Sequence, residues 1–445
     1  MKDKKFLFSL ATVIFLMFLI VLSIYFDFPI FIAISGGSLP GLVYLTSYKI
    51  PIKNLFKEIK ISFKSVSKIF VLLALIGLYL PLLGKSQALH TLIYAFTPLL
   101  ENFPLTFSAF ISTLVLSMLL GTAVGTLSIL SPLFISTALL SSIPLPMVVG
   151  ALVSGAYFGD RTSYLSTSAH LSAAVSESNI LNTVPRMLKD SIFPLIISGF
   201  LFFMISPIPE VDSEILLNMK KVFDIKYWML LPVFILLVMI IFKIPVLKAI
   251  GTALISAFLI SFFTRGSLNL ELILYGYKSP VDEYSYLLNT NGFINMISVL
   301  MVIASSALLN GVLRVTGLIK PLINPVLKRS KNPITVVLNT AITSVILTLI
   351  TCNQTLTAII TGDNFKGIYD EHNIDKKFLA STIGNAGIGI VGIIPWNVNG
   401  LIVTALTGVP TTEYFKWSYF PILLLIYSLV FQPFIYNRKV KNSNN

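Results

Sequence analysis

Ser154-Gly155-Ala156-Tyr157-Phe158-Gly159-Asp160-Arg161-Thr162-Ser163-Tyr164-Leu165-Ser166-Thr167-Ser168-Ala169-His170 closes an apolar run that opens near residue 127. It places an acid, a guanidinium and a row of hydroxyls directly after hydrocarbon. What that means depends on the solvent, and composition decides the solvent. Of 445 residues, 55% are hydrophobic and 11% charged, whereas soluble domains carry about 25% charged residues. Mean hydropathy is +0.87. Soluble enzymes, nucleic-acid binders and disordered chains are excluded on these grounds. The single cysteine, Cys352, rules out an intramolecular disulfide and a CxxC metal site. The chain reads as an all-α polytopic membrane protein, and the quoted stretch as a broken helix inside it.

Net charge is +13, but placement argues for orientation rather than for nucleic acid. Lys and Arg gather in 2–5, 49–68, 320–331 and 438–441, which together hold half of the 32 basic residues. Short basic connectors beside apolar runs mark the cytoplasmic side. Phe6 to Phe26 is 21 uncharged residues, enough to cross a core of about 30 Å and too long for a signal peptide. A second run, Phe28 to Ser47, returns the chain to the inner side. There Lys49, Lys53, Lys57, Lys60, Lys64 and Lys68 share one helical face, with Leu55, Phe56, Ile59, Phe63 and Val66 largely opposite. The pattern predicts an amphipathic helix on the inner leaflet.

Further apolar runs bring the expectation to about a dozen transmembrane segments, several interrupted. An offset of 229 residues aligns Pro104-Leu105-Thr106 with Pro333-Ile334-Thr335, Thr122 with Thr351, Thr126 with Thr355 and Gly155 with Gly384. Segment 320–331 is basic and its counterpart 91–102 carries no Lys or Arg, so equivalent connectors lie on opposite sides. That predicts two inverted-topology repeats, a construction of secondary transporters. The expected organisation is two N-terminal helices in 1–48, the basic helix in 49–68 and a first repeat in 69–206. A connector with its own spans occupies 207–292, a second repeat 293–436 and a cytoplasmic basic tail 437–445.

Four clusters interrupt the apolar runs. They are Gly121 to Thr126; Gly159 to His170; Thr351-Cys352-Asn353-Gln354-Thr355; and Gly384-Asn385-Ala386-Gly387 followed by Pro395-Trp396-Asn397-Val398-Asn399-Gly400. Backbone freed at such breaks must be satisfied by protein or by a watery cavity, and hydroxyls and amides there supply hard oxygen ligands for alkali cations. Asp160 is the sharpest residue, since an ionisable group within a span is a functional candidate by default. It is expected to exchange the proton and the cation and to be the Na+ ligand. Thr122, Thr126, Ser163, Ser166, Thr167, Asn353, Gln354, Thr355, Asn385 and Asn397 are expected to line the substrate site. Arg161 is a candidate charge partner or snorkelling anchor, and His170 is a candidate proton group, although a lone His on an apolar stretch is more often a hydrogen-bonded packing residue.

With these clusters in hand, the chain resembles the NhaC-type sodium/proton antiporter family of the larger ion-transporter group, from about residue 70 to 436. Ser154 to Arg161 is similar to the family's SGAYFGD(K/R), and Gly121 to Thr126 to its GTSxGT. Phe365-Lys366-Gly367-Ile368-Tyr369, Ile394-Pro395-Trp396-Asn397 and Gly408-Val409-Pro410-Thr411-Thr412-Glu413-Tyr414 follow its second half in order and spacing. The resemblance implies cation/proton exchange, with organic acids or amino acids as cargo in some relatives. Asp160 carries over. The family's other acids read here as Thr167, Asn353, Gly384 and Asn385, which do not titrate in the biological range.

Two carrier readings follow. In one, Na+ is exchanged for H+ at Asp160 by alternating access. In the other, an amino acid or organic acid is carried with Na+ or H+, for which a neutral amide and hydroxyl lining is well suited. A membrane enzyme would need a carboxylate pair or an acid/base pair, and no DDxxD, HExxH or GxSxG pattern occurs. The protein is expected in the cell membrane with both termini cytoplasmic and no cofactor, Na+ and H+ being cargo. Membrane lipids are its expected partners, a second copy of the chain is admissible, and nucleic acid is not expected.

Overall fold

The N-terminal apolar run forms the helix Lys2–Phe26, and Asp27, at a φ of 53°, turns the chain into Ile30–Gly37 and Leu39–Ser47. The small Gly37 lets the two limbs close: a Cβ there would sit 2.4 Å from Leu16 Cδ1. This computed structural model describes residues 2–211, 213–266 and 269–436; the expected basic tail at 437–445 lies outside the described residues. Among those residues every regular element is helical. Nine helices are long and apolar enough to cross a membrane, or up to twelve if three bent pairs are counted as spans.

The expected amphipathic helix at 49–68 is not a separate element. Ile52–Lys85 is one helix of 34 residues, because nothing in the sequence around residue 68 breaks it. Its apolar face packs on a second long helix, Phe293–Thr316: Ile59 lies against Gly311, Leu55 clusters with Val312, and Glu58 pairs with Arg314 at 3.9 Å.

Two hairpins and two broken helices form the centre. The first hairpin runs Leu105–Leu120, turns at Gly121 and Thr122, and returns as Ala123–Leu140. The first broken helix follows as Leu145–Thr162 and Thr167–Val175. Missing Cβ atoms allow close contact here. Gly155 lies against Phe110 and Thr113, and Gly159 against Ser117 and Met118, so Leu105–Leu120 and Leu145–Thr162 pack directly and run parallel, with Ala123–Leu140 returning antiparallel beside them. The second hairpin is Pro333–Thr351 and Gln354–Glu371, closed at its base where the His372 ring meets the Ser330 carbonyl at 3.3 Å. The second broken helix is Lys376–Ile383, a π-helical turn Gly384–Ile388, and Val398–Thr407. A rising limb of 16 residues is about 24 Å long, so the first tip stops short of crossing a hydrocarbon core.

The repeat is present, in a different register from that expected. Backbone caps set it at 231 residues. Gly121 and Cys352 both end a limb in the left-handed conformation, and Thr122 and Asn353 cap the return limbs. Ser166 and Asn397 cap the second pieces of the broken helices. Ser142 and Asn373, and Glu177 and Gly408, share positive φ. The matches at 229 were coincidences of a narrow alphabet of Thr, Gly and Pro; turn geometry constrains register more strongly.

The two repeats are inverted. Glu177, after the first broken helix, meets Lys366 and Lys376 at the base of the second hairpin. Thr407 and Gly408, after the second broken helix, line a cleft with Ser136 near the base of the first hairpin. Equivalent junctions therefore lie at opposite ends. The broken helices cross where Tyr157 packs on Gly392 and Arg161 passes Gly384.

Candidate functional site

At the first hairpin tip, Gly121 takes a φ of 67° that brings its backbone against Leu165 and Ser166; a side chain there would collide as well as strain the turn. Ser166 caps the helix Thr167–Val175 by accepting from Ser168 N at 3.0 Å and Ala169 N at 3.1 Å, and donates to the Asp160 carbonyl. Ser163 donates to the Met118 carbonyl at 2.8 Å. Two helix N-termini, at Ala123 and Thr167, are thus fixed beside Asp160.

The Asp160 side chain is 9% exposed. One carboxylate oxygen accepts from Ala123 N at 3.3 Å and the other from Ser168 Oγ at 2.8 Å. Helix N-termini stabilise negative charge; here the helix beginning at Ala123 gives the carboxylate a backbone N–H, and the helix beginning at Thr167 gives it the Ser168 hydroxyl. Among the described residues no three His, Cys, Asp or Glu side chains converge. A cation at Asp160 would complete its shell from hydroxyls and carbonyls.

The expected lining residues divide into groups. Thr122, half-buried, caps its helix by accepting from Gly125 N at 3.4 Å, and Thr126 is engaged by the Thr122 carbonyl at 2.8 Å. Thr167 is exposed; its neighbour Ser168, absent from the expected set, supplies the hydroxyl that reaches Asp160. His170 is also exposed, its ring on the Tyr164 carbonyl at 3.0 Å, and it does not join the acid. Thr355 is exposed as well.

Arg161 does not pair with its neighbour Asp160. It is buried at 1% exposure and donates to Asn385, to Ser191 Oγ and to the Met187 carbonyl at 3.3 Å. Through it the first broken helix is bonded to the second and to Ile180–Ile205. Behind Asn385 lies an acid that the expected set omitted. Asp190 is fully buried and pairs with Arg186. It also accepts from Ser381 at 2.6 Å, Tyr427 at 2.9 Å, Tyr436 at 2.5 Å and Asn385 at 3.5 Å. So many donors saturate a carboxylate, which makes Asp190 a fixed anchor. The spacing Arg186 to Asp190 was its available signal, an i,i+4 pair of opposite charge just before an apolar run.

The second tip repeats the architecture with other side chains. Asn353 caps Gln354–Glu371 by accepting from Thr355 N at 2.9 Å and Leu356 N at 3.2 Å. Asn397 caps Val398–Thr407 through Asn399 N at 3.1 Å, and Val398 N donates to the Cys352 carbonyl at 3.3 Å. Trp396 Nε1 holds the Leu349 carbonyl at 2.8 Å. Asn310, a buried amide in the apolar helix Phe293–Thr316 and also absent from the expected set, donates to the Thr351 carbonyl at 2.9 Å.

Inverted hairpins whose tips meet broken helices around a buried carboxylate define a membrane carrier of the interrupted-helix class. Residues 155–434 match the Na+/H+ antiporter family, and the chain belongs to that family. It is 25% identical over 438 residues to the Na(+)/H(+) antiporter NhaC of Bacillus subtilis (strain 168), covering 94% of this chain and 96% of the relative. It is 26% identical over 442 residues to the Malate-2H(+)/Na(+)-lactate antiporter of the same organism, covering 94% of each. To the Arginine/ornithine antiporter ArcD of Halobacterium salinarum it is 27% identical over 295 residues, 63% of this chain and 61% of the relative.

Proposed function

We propose that the protein exchanges Na+ for H+ across the cell membrane by alternating access, with Asp160 as the group for which the two ions compete. The observation that carries this is the Asp160 carboxylate, nine-tenths buried at a hairpin tip and bonded by the Ala123 N–H at one helix N-terminus and the Ser168 hydroxyl at another. Family membership and the relatives named as Na+/H+ antiporters support it. A carboxylate in this position is neutralised by either a proton or Na+, with Ser168 and Thr122 hydroxyls nearby as further oxygen donors. Taking on one ion requires releasing the other, which is the condition for antiport. Rocking of one repeat against the other, hinged at the helix breaks, would expose the site to each side in turn.

Orientation follows from charge. Lys5 lies beside Gly317, so the N-terminus shares an end with the basic segment 320–331, and the base of the second hairpin at Ser330 and His372 is at that end too. The positive-inside rule makes it cytoplasmic.

The test is reconstitution into proteoliposomes with an internal pH dye and stepwise addition of Na+, K+ and Li+. Na+-evoked proton movement is expected, and Asp160→Asn should abolish it while membrane insertion persists. Normal exchange by that variant would remove Asp160 from the mechanism. A second reading, coupled carriage of a small organic acid or amino acid, is favoured by the amide-rich second tip and by the two relatives named for such cargo.

A further inference from the structure

A carrier moves a proton only on a group that is shielded from water and able to give the proton up. Among the described side chains, Asp160 and Asp190 are the only buried Asp or Glu residues. The other acids are exposed or half-buried, as are His170 and His372, so bulk water sets their protonation. His90 is buried, but its ring meets Phe223 and Tyr277 edge-on, among the connector elements of 207–292 rather than at a hairpin tip.

Asp190 is not free to exchange. Its two oxygens offer about four lone-pair positions, and Arg186, Ser381, Tyr427, Tyr436 and Asn385 all donate to them. A proton or cation bound there would displace donors that have no other partner in the interior. Asp160 differs. Each of its oxygens accepts a single bond, from Ala123 N or from Ser168 Oγ, which leaves lone pairs for an incoming ion. The adjacent guanidinium does not neutralise it, since Arg161 is directed at Asn385, Ser191 and the Met187 carbonyl. The second repeat adds no acid. In the 231-residue register the place of Asp160 is taken by Val391, fully buried, and the caps Asn353 and Asn397 are neutral amides.

We propose that each cycle exchanges one Na+ for one H+ and moves no net charge, so that the membrane potential neither drives nor opposes it. This rests on the antiport reading above and supplies its coupling ratio. On one side Na+ takes the carboxylate as the proton leaves to water, and on the other side the reverse occurs. A single carboxylate is neutral with either ion, and the fixed charges of Arg161, Arg186 and Asp190 are the same in both loaded forms. The two half-cycles therefore carry equal charge in opposite directions across the field, and the electrical work cancels. The two concentration gradients are the whole driving force.

Two measurements on the full-length protein test this. In proteoliposomes a K+ diffusion potential is set with valinomycin, and the Na+ ratio that just halts proton movement is read from the internal pH dye. One-for-one exchange requires that ratio to equal the proton ratio at every potential. With two protons per Na+ it would be the square of the proton ratio and would shift tenfold for every ~59 mV; either result overturns the proposal. In unbuffered detergent solution, adding Na+ should release no more than one proton per chain at any pH, and none from Asp160→Asn. Release of more than one, or of any from Asp160→Asn, reveals a second exchanging group and overturns it as well. Exchange that follows the potential keeps the antiport reading and removes the one-for-one ratio; no Na+-evoked proton movement in either measurement removes both.

Discussion

Asp160 and Arg161 are consecutive, yet they serve different partners: the acid faces the first hairpin tip, and the guanidinium reaches Asn385, Ser191 and Met187. Ser168 is the side chain that touches the acid directly, at 2.8 Å. A hydrogen bond to a charged group is worth about 1.5–3 kcal/mol, so Ser168→Ala should change the half-saturating Na+ concentration by about ten- to hundredfold. Thr167→Ala, at an exposed position, should leave that concentration near the parent value; the pH-dye response measures both. The acid was legible in sequence because a charge inside an apolar run needs a reason. The choice between Thr167 and Ser168 was not, since it depends on which hydroxyl the short helix turns inward. Asp190 escaped because it follows Lys189 and ends a charged stretch that reads like a connector. Only the packing of Tyr427, Tyr436 and Ser381 around it shows that it is buried.

At the scale of elements, the hairpins depend on absent side chains. A Cβ on Gly155 would lie 2.1 Å from Thr113 Oγ1 and 2.3 Å from the Phe110 carbonyl oxygen. Gly155→Ala should therefore force the two parallel helices apart and lower stability by about 1–3 kcal/mol. Gly367, with nothing within 4 Å of its Cβ position, is inside the helix Gln354–Glu371. Gly367→Ala should be neutral or stabilising, by up to about 1 kcal/mol. Thermal midpoints of the detergent-purified variants would show the opposite signs. Interruption of the helices was readable from the polar clusters, and so was inversion from connector charge. The register was not readable, because Thr, Gly and Pro recur often enough here to match two residues out of step. Positive φ at Ser142 and Asn373 belongs to turn geometry; asparagine favours it, but serine does not announce it. Continuity of Ile52–Lys85 was hidden for a related reason: a change of solvent along a helix alters its pattern without breaking its hydrogen bonds.

For the molecule as a whole, one exposed cluster joins the two repeats: Glu177 meets Lys376 at 2.8 Å and Lys366 at 3.1 Å. Hydrogen bonds from Lys376 and then Lys366, aided by their charges, hold the Glu177 carboxyl below its ordinary value of 4.5. A lowered value means that this contribution is complete above the ordinary value and is lost only as pH falls through the lowered one. The strap should thus persist through physiological acidification. Glu177→Gln should loosen that end at neutral pH and speed alkylation of the buried Cys352 by a small maleimide, with little change in thermal midpoint; an unchanged alkylation rate would mean that the strap restrains nothing. The long helix Ile52–Lys85 has a further consequence. Its 34 residues span about 51 Å, roughly 20 Å more than a hydrocarbon core, and the surplus bears Lys53, Lys57, Lys60 and Lys64. Being rigidly continuous with a transmembrane rod, this arm must sweep through the headgroup layer whenever the rod tilts. Each turnover would then strip and rebuild contacts with anionic phospholipid, so vesicles with a graded phosphatidylglycerol content should show turnover that slows as the arm is held more tightly.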